Sequence, residues 1–314
     1  MLAISDLHVG HPANRAVVDA LRPASADDWL IVAGDIGERF SDVERTLRSL
    51  RSRFAAVIWA PGNHELWTLP DDPVQLRGQA RYRALVELCR TLDVATPEDP
   101  YPVWRGPGGP VTVAPLFLLY DYSFRPPGTR TAQEALAAAH AAGVVCTDEL
   151  LLHPDPYPSR ADWCAARLAE TERLLAARDP ALPTVLVNHF PLRREPTEIL
   201  RHPEFAQWCG TERTRDWHRR FNAAAVVYGH LHIPRDLSTD GVPFLEVSLG
   251  YPREWQPRGA APAPRRILPA TAPPASPLPP GHPLSTLPAP GRPPTVRPPA
   301  ARPAAVRQPW PVRV

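Results

Sequence analysis

Seven short apolar runs, LAIS, DWLIVAG, AAVIWAPG, VTVAPLFLL, PTVLVNHF, AAAVVYGH and PFLEVSLG, punctuate the first 250 residues, with helical patterns between them. Runs this short, several of them apolar throughout, read as strands buried on both faces. The segment SDVERTLRSLRSRF reads as a helix that opens with a Ser41/Glu44 capping box and gathers Val43, Leu47, Leu50 and Phe54 on one side. SRADWCAARLAETERLLAARD repeats the device from Ser159, with an apolar stripe through Leu168 and Leu175. Strand, helix and strand in succession predict an α/β layered fold around a sheet.

Proline sets the limit of the folded part. From Pro257 to Val314 the chain carries 19 of its 43 prolines, eight arginines and no acidic residue. Such a stretch buries too little apolar surface to offset its ordering entropy, so residues 269–314 are expected to form a disordered Pro/Arg-rich tail after a folded domain over 1–268. The formal net charge of +2 then divides into an acidic body of about −6 and a basic tail of about +8. An acidic body without a basic groove argues against a nucleic-acid partner. No window approaches the roughly 18 apolar residues of a membrane span, and the chain opens directly on a strand-like run without a signal-peptide pattern. Cys89, Cys146, Cys164 and Cys209 are scattered without a C-x-x-C pair. Buried thiols in a reducing cytoplasm are expected, with no disulfide framework.

The chemistry-bearing residues stand where the strands stop. Asp6 and His8 follow LAIS, Asp35 follows WLIVAG, and Asn63, His64 and Glu65 follow VIWAPG. His189 ends TVLVN, and His230 and His232 follow VVYG. Ligands of open α/β sheets bind beyond the carboxyl ends of the strands, so five segments deliver oxygen and nitrogen donors to one edge. Singly, each has a plainer role: Asp6 and Asp35 as caps, Asn63 as a turn residue. Capping does not explain why histidines accompany them. Carboxylate, amide and imidazole without thiolate suit Mn, Fe or Zn. Seven donors exceed the needs of one tetrahedral ion; two divalent ions sharing a carboxylate would use them all, the arrangement that clamps the oxygens of a phosphoryl displacement.

Read in order as SDLH, GDIGE, GNHE, VNHF and GHLH, these segments resemble the motifs of the calcineurin-like metallophosphoesterase superfamily over Asp6 to His232. The resemblance implies a four-layer α-β-β-α sandwich of two mixed sheets, with the metal site at the strand C-terminal ends. By motif position it implies that Asp6, His8 and His232 hold one ion, that Asn63, His189 and His230 hold the other, and that Asp35 bridges them. It implies hydrolysis of a phosphate ester by a metal-bridging hydroxide, with His64 as a general acid rather than a ligand and Glu65 as a brace behind the ligands.

Substrate is less constrained. The segment 120–158 interrupts the alternation and is expected to cap the metals. Within it Tyr122 and Arg125 follow a strand end, and Arg193 follows His189 closely, so these three are candidate substrate contacts. A small phosphorylated substrate is expected, and the leading expectation is a phosphomonoesterase acting on a small metabolite or nucleotide. Cyclic-nucleotide or other small phosphodiester hydrolysis is the alternative, since both chemistries share the motifs. GDIGERF departs from the G-D-x-V-D-R-G of the protein phosphatases. A non-catalytic metal-binding scaffold is the remote third reading, disfavoured because every donor is present. Protein partners are not legible in the chain.

Overall fold

The computed structural model describes residues 1–269; the expected tail lies outside the described residues from position 270 onward. All seven apolar runs form strands. In chain order the elements are β1 (Leu2–Ile4), α1 (Pro12–Ala20), β2 (Trp29–Val32), α2 (Phe40–Arg51), β3 (Ala56–Trp59), α3 (Gly78–Thr91), β4 (Val94–Ala95), β5 (Val103–Trp104), β6 (Val111–Pro115), α4 (Ala132–Ala141), α5 (Asp148–Leu151), α6 (Arg160–Ala177), β7 (Thr184–Val187), α7 (Trp217–Arg220), β8 (Ala223–Tyr228), β9 (Asp236–Thr239), β10 (Val242–Glu246), α8 (Pro252–Trp255) and β11 (Arg265–Arg266).

The strands make two sheets, in the orders β11-β1-β2-β3-β4 and β5-β6-β7-β8-β10-β9. In the first, β1 to β4 run parallel and β11 pairs antiparallel with β1. In the second, β6, β7, β8 and β10 are parallel, with β5 and β9 antiparallel at the margins. Both sheets are therefore mixed. Alternation along each strand explains why the runs are apolar throughout. Ala3, Ile31, Ile58, Val113, Val185, Ala225, Val227 and Leu245 belong to one buried cluster between the sheets. Ile4, Leu30, Val57, Leu186, Val226 and Phe244, their neighbours in sequence, face outward into a second cluster with Leu47, Leu85, Leu168 and Leu175 of the covering helices. These are the four layers of an α-β-β-α sandwich.

Two details differ from the sequence expectation. α2 starts at Phe40, one residue before Ser41, and the side chain of Arg39 at its N-cap does not cap the helix. The carboxylate of Asp72 accepts the Phe40 amide instead, at 3.1 Å, so a residue 32 positions away replaces the local capping box. Strands β4, β5, β9 and β11 were not foreseen; three span two residues each and the fourth is polar, too little for a periodic signal. Ser159 does cap α6, accepting the Asp162 amide. All four cysteines are buried and free. No helix of the described residues is long and apolar enough to cross a membrane.

Candidate metal centre

Every donor sits two to five residues beyond a strand terminus, on loops that turn sharply. Asp6, His8, Asp35, His230 and His232 adopt φ of 53°, 40°, 54°, 69° and 55°, the left-handed region that costs a non-glycine residue about 1–3 kcal/mol. The loops close because glycines permit contact. A Cβ at Gly62 would lie 2.1 Å from Asp35 Oδ1, and one at Gly229 would lie 2.2 Å from Asp6 Oδ2. The glycines of the third and fifth motifs are thus spatial requirements of the carboxylates they pack against.

The donors converge. His232 Nε2 lies 2.9 Å from Asp6 Oδ1 and 3.3 Å from His8 Nε2. His189 Nε2 lies 3.3 Å from Asp35 Oδ2 and 3.1 Å from Asn63 Oδ1. His8 Nε2 is 4.0 Å from the same Asp35 oxygen, so Asp35 stands between the two groups. Three donor sets close enough to hold a cation result: Asp6/His8/His232, His8/Asp35/His64 and Asp6/Asp35/His189. His230 is in none of these sets, although its ring is 5.1 Å from that of His189 and its buried Nε2 has no partner. Ligands about 2.0–2.2 Å from one cation stand roughly 3 Å apart, which is the spacing seen. A buried imidazole nitrogen without a partner is costly. The residues present therefore fit a divalent cation site.

Orientation comes from partners behind the donors. His189 Nδ1 donates to the Ala33 carbonyl at 2.9 Å, which directs Nε2 toward Asp35. His232 Nδ1 faces Glu254 Oε2 at 2.9 Å, the carboxylate–histidine arrangement common behind metals. Asn63 donates its Nδ2 to Asp148 Oδ1 at 2.9 Å, which turns its Oδ1 to His189. Glu65 accepts the amides of Asp35, Ile36 and Gly62 at 2.9–3.0 Å, tying two loops together. Burial pushes its carboxyl up to about 7, aided by the neighbouring Asp35 charge.

Burial opposes charge on Asp35 and Asp6, yet the surrounding histidines hold both carboxyls below the ordinary value. Burial lowers His189 and His232, but Asp35 and Asp6 win and push each up to about 10. His230, without such a partner, is lowered by burial to about 3 and stays neutral. His64 Nδ1 bonds Glu38 Oε1 at 2.9 Å, and its ring stacks on Trp67 with centroids 3.7 Å apart. Burial disfavours its charge, while Asp35 and Glu38 overcome that and raise it. His64 Nε2 is 3.7 Å from Asp35 Oδ2.

A cavity of about 360 Å³ opens over the cluster, lined by Asp35, Asn63, His64, His230 and His232 and walled by Trp67, Val145, Phe205, Leu231, Tyr251 and Arg253, among others. The candidate substrate contacts do not reach its lining. Tyr122 donates its hydroxyl to Glu149 at 2.8 Å. Arg193 bonds Glu195 and the Arg215 carbonyl, and Arg125 is half-buried away from it. Sequence reasoning missed Glu38, Asp148, Tyr251, Arg253 and Glu254. Glu254 and its neighbours follow β10, a sixth strand ending at the same edge, and that placement was the available signal.

The sandwich and its strand-end donors define a phosphoesterase class: the family model of the calcineurin-like phosphoesterases matches residues 1–234, and the chain belongs to that family, a family of phosphoric ester hydrolases. Among individual proteins, it is 56% identical over 267 residues to the acyl-carrier-protein phosphodiesterase PptH of Mycobacterium tuberculosis, covering 85% of this chain and 82% of that relative. The crystal structure of Phosphopantetheinyl Hydrolase (PptH) from the same organism matches with a TM-score of 0.85 at 55% identity, over 87% of this chain and 97% of that one.

Proposed function

We propose that this chain is a metal-dependent phosphodiesterase that releases the phosphopantetheinyl group from an acyl carrier protein. The observation that carries the reading is the 56% identity to a relative of that activity over most of both chains. It favours the diester alternative over the phosphomonoesterase expected first, and a protein-borne group over a free metabolite. Asp6, His8 and His232 would hold one divalent ion and Asn63, His189 and His230 a second, with Asp35 shared; Mn, Fe and Zn all suit these donors. Divalent cations in such a site supply positive charge for the phosphate oxygens and an activated nucleophile.

The chain's own residues do the rest. Glu38 Oε1 holds His64 by its Nδ1 and leaves Nε2 on the side of Asp35, where His64 would act as the general acid for the departing oxygen. Trp67 holds the ring in place from one face. Val145, Cys146 and Thr147 of the 120–158 segment contribute to the cavity wall, which supports its reading as a cap. The apolar wall of Val145, Phe205 and Leu231 suits the aliphatic part of a pantetheinyl arm. The test is to strip the protein with chelator, reload it with Mn, and incubate it with phosphopantetheinylated carrier. Mass spectrometry should record carrier reverting to its unmodified mass, and bis-p-nitrophenyl phosphate should turn over faster than p-nitrophenyl phosphate. Unchanged carrier together with preferred cleavage of the monoester would overturn the proposal.

A further inference from the structure

We infer that Arg253 is the guanidinium that binds a non-bridging oxygen of the substrate phosphate, carried to that position by Tyr251. The inference rests on the cavity over the donor cluster being a phosphoester site. Among the residues that line this cavity, Arg253 is the one permanent cation. Arginines elsewhere on the described surface are mostly engaged: Arg193 pairs with Glu195, Arg160 with Glu149 and Arg167 with Glu98. Among the described residues Arg253 forms no ion pair within 4.0 Å. The acidic neighbour in sequence, Glu254, is committed to His232 Nδ1 and to the Tyr251 amide.

Its position is set by a stack. The guanidinium carbon lies 4.8 Å from the centre of the Tyr251 ring. That ring is stacked on His8, with centroids 4.3 Å apart at 18°, and meets His232 edge-on at 4.9 Å. Two donors of the cluster therefore hold the tyrosine, and the tyrosine holds the arginine by a cation–π contact. A planar fork with several N–H groups and no acceptor among the described residues, fixed beside the donor cluster, matches an anionic tetrahedral oxygen group. Phosphate monoanions, including diesters, offer such oxygens.

Inorganic phosphate titrated into the Mn-loaded full chain by calorimetry is the probe, with elemental analysis of bound metal on every variant. Arg253→Gln should weaken phosphate binding about 10- to 100-fold at unchanged metal content, the range for a lost charge-assisted hydrogen bond. Arg253→Lys should recover part of that loss, because it restores the charge without the fork. With bis-p-nitrophenyl phosphate, KM should rise by more than kcat falls. Phosphate affinity of Arg253→Gln within twofold of wild type would overturn the inference, as would loss of metal in parallel with loss of phosphate. Arg253-dependent phosphate binding in a protein that leaves the carrier untouched would sustain this inference while ending the carrier reading.

Discussion

At the residue scale, the site is a set of strained positions held by partners. Five donors in the left-handed region persist because the backbone on either side is bonded: Asp6 N to Gly34 O, His8 N to Asp35 O and Gly229 N to His189 O, all at 2.9–3.0 Å. Each of these bonds joins one strand-end loop to another, so the loops stabilise one another's unfavourable φ. His64 and Glu254 act differently within this set. His64→Ala should keep its metal, read by elemental analysis, while turnover falls about 10²- to 10⁴-fold as expected for a lost general acid; an emptied site would instead make it a ligand. Glu254→Ala removes the acceptor behind His232 and should weaken metal binding about 10- to 100-fold, measured by competition with a chelating dye.

At the element scale, α3 connects the outer helical layer to the site. Arg81 on this helix is fully buried and donates to the backbone carbonyls of Glu65 at 2.7 Å and Glu38 at 2.9 Å. Its countercharge is Asp72, 3.3 Å away, the residue that also caps α2. Removing one partner of a buried pair strands the other, so Asp72→Ala should cost about 3–5 kcal/mol in urea unfolding. Burial raises the Asp72 carboxyl, but the Val74 and Phe40 amides and Arg81 bring it below the ordinary value. A carboxyl depressed in the folded state contributes stability above its unfolded pKa of about 4 and loses it as pH falls through the folded value. The stability difference between wild type and Asp72→Asn should therefore be widest above pH 4 and shrink on acidification, checked by unfolding at pH 3 to 6.

At the scale of the whole molecule, the chain's first and last described strands close one sheet. The Met1 amine donates to the Leu268 carbonyl at 2.9 Å, and β11 borders β1. Proteins ended after Thr271 should melt and turn over like the full chain. Ending the chain before Arg265 uncovers the edge of β1 and should lower the melting temperature by several degrees, followed by circular dichroism. A drop of that size in the protein ended after Thr271 would show that residues beyond Thr271 contribute to the fold.

What could be read from the amino-acid order follows from local rules. Burial on two faces writes itself as an uninterrupted apolar run, which is why β1, β2, β3, β6, β7, β8 and β10 were legible. A donor beyond the end of such a run is equally local, so Asp6, Asp35 and His189 could be named from their neighbours alone. The edge strands could not, because two residues, or a polar four in β9, carry no apolar period and their pairing depends on which strand lies alongside. Nor could the partners: Asn63 meets Asp148 across 85 positions, and His232 meets Glu254 across 22. The same holds for the arginines. Arg193 follows a donor in sequence yet is tied to Glu195, whereas Arg253 lies 21 residues past the last motif and reaches the cavity, because β10 ends beside β8 and its following turn stacks Tyr251 on His8. Short-range pattern specifies strands and donors; the packing of distant loops selects which charges face the site.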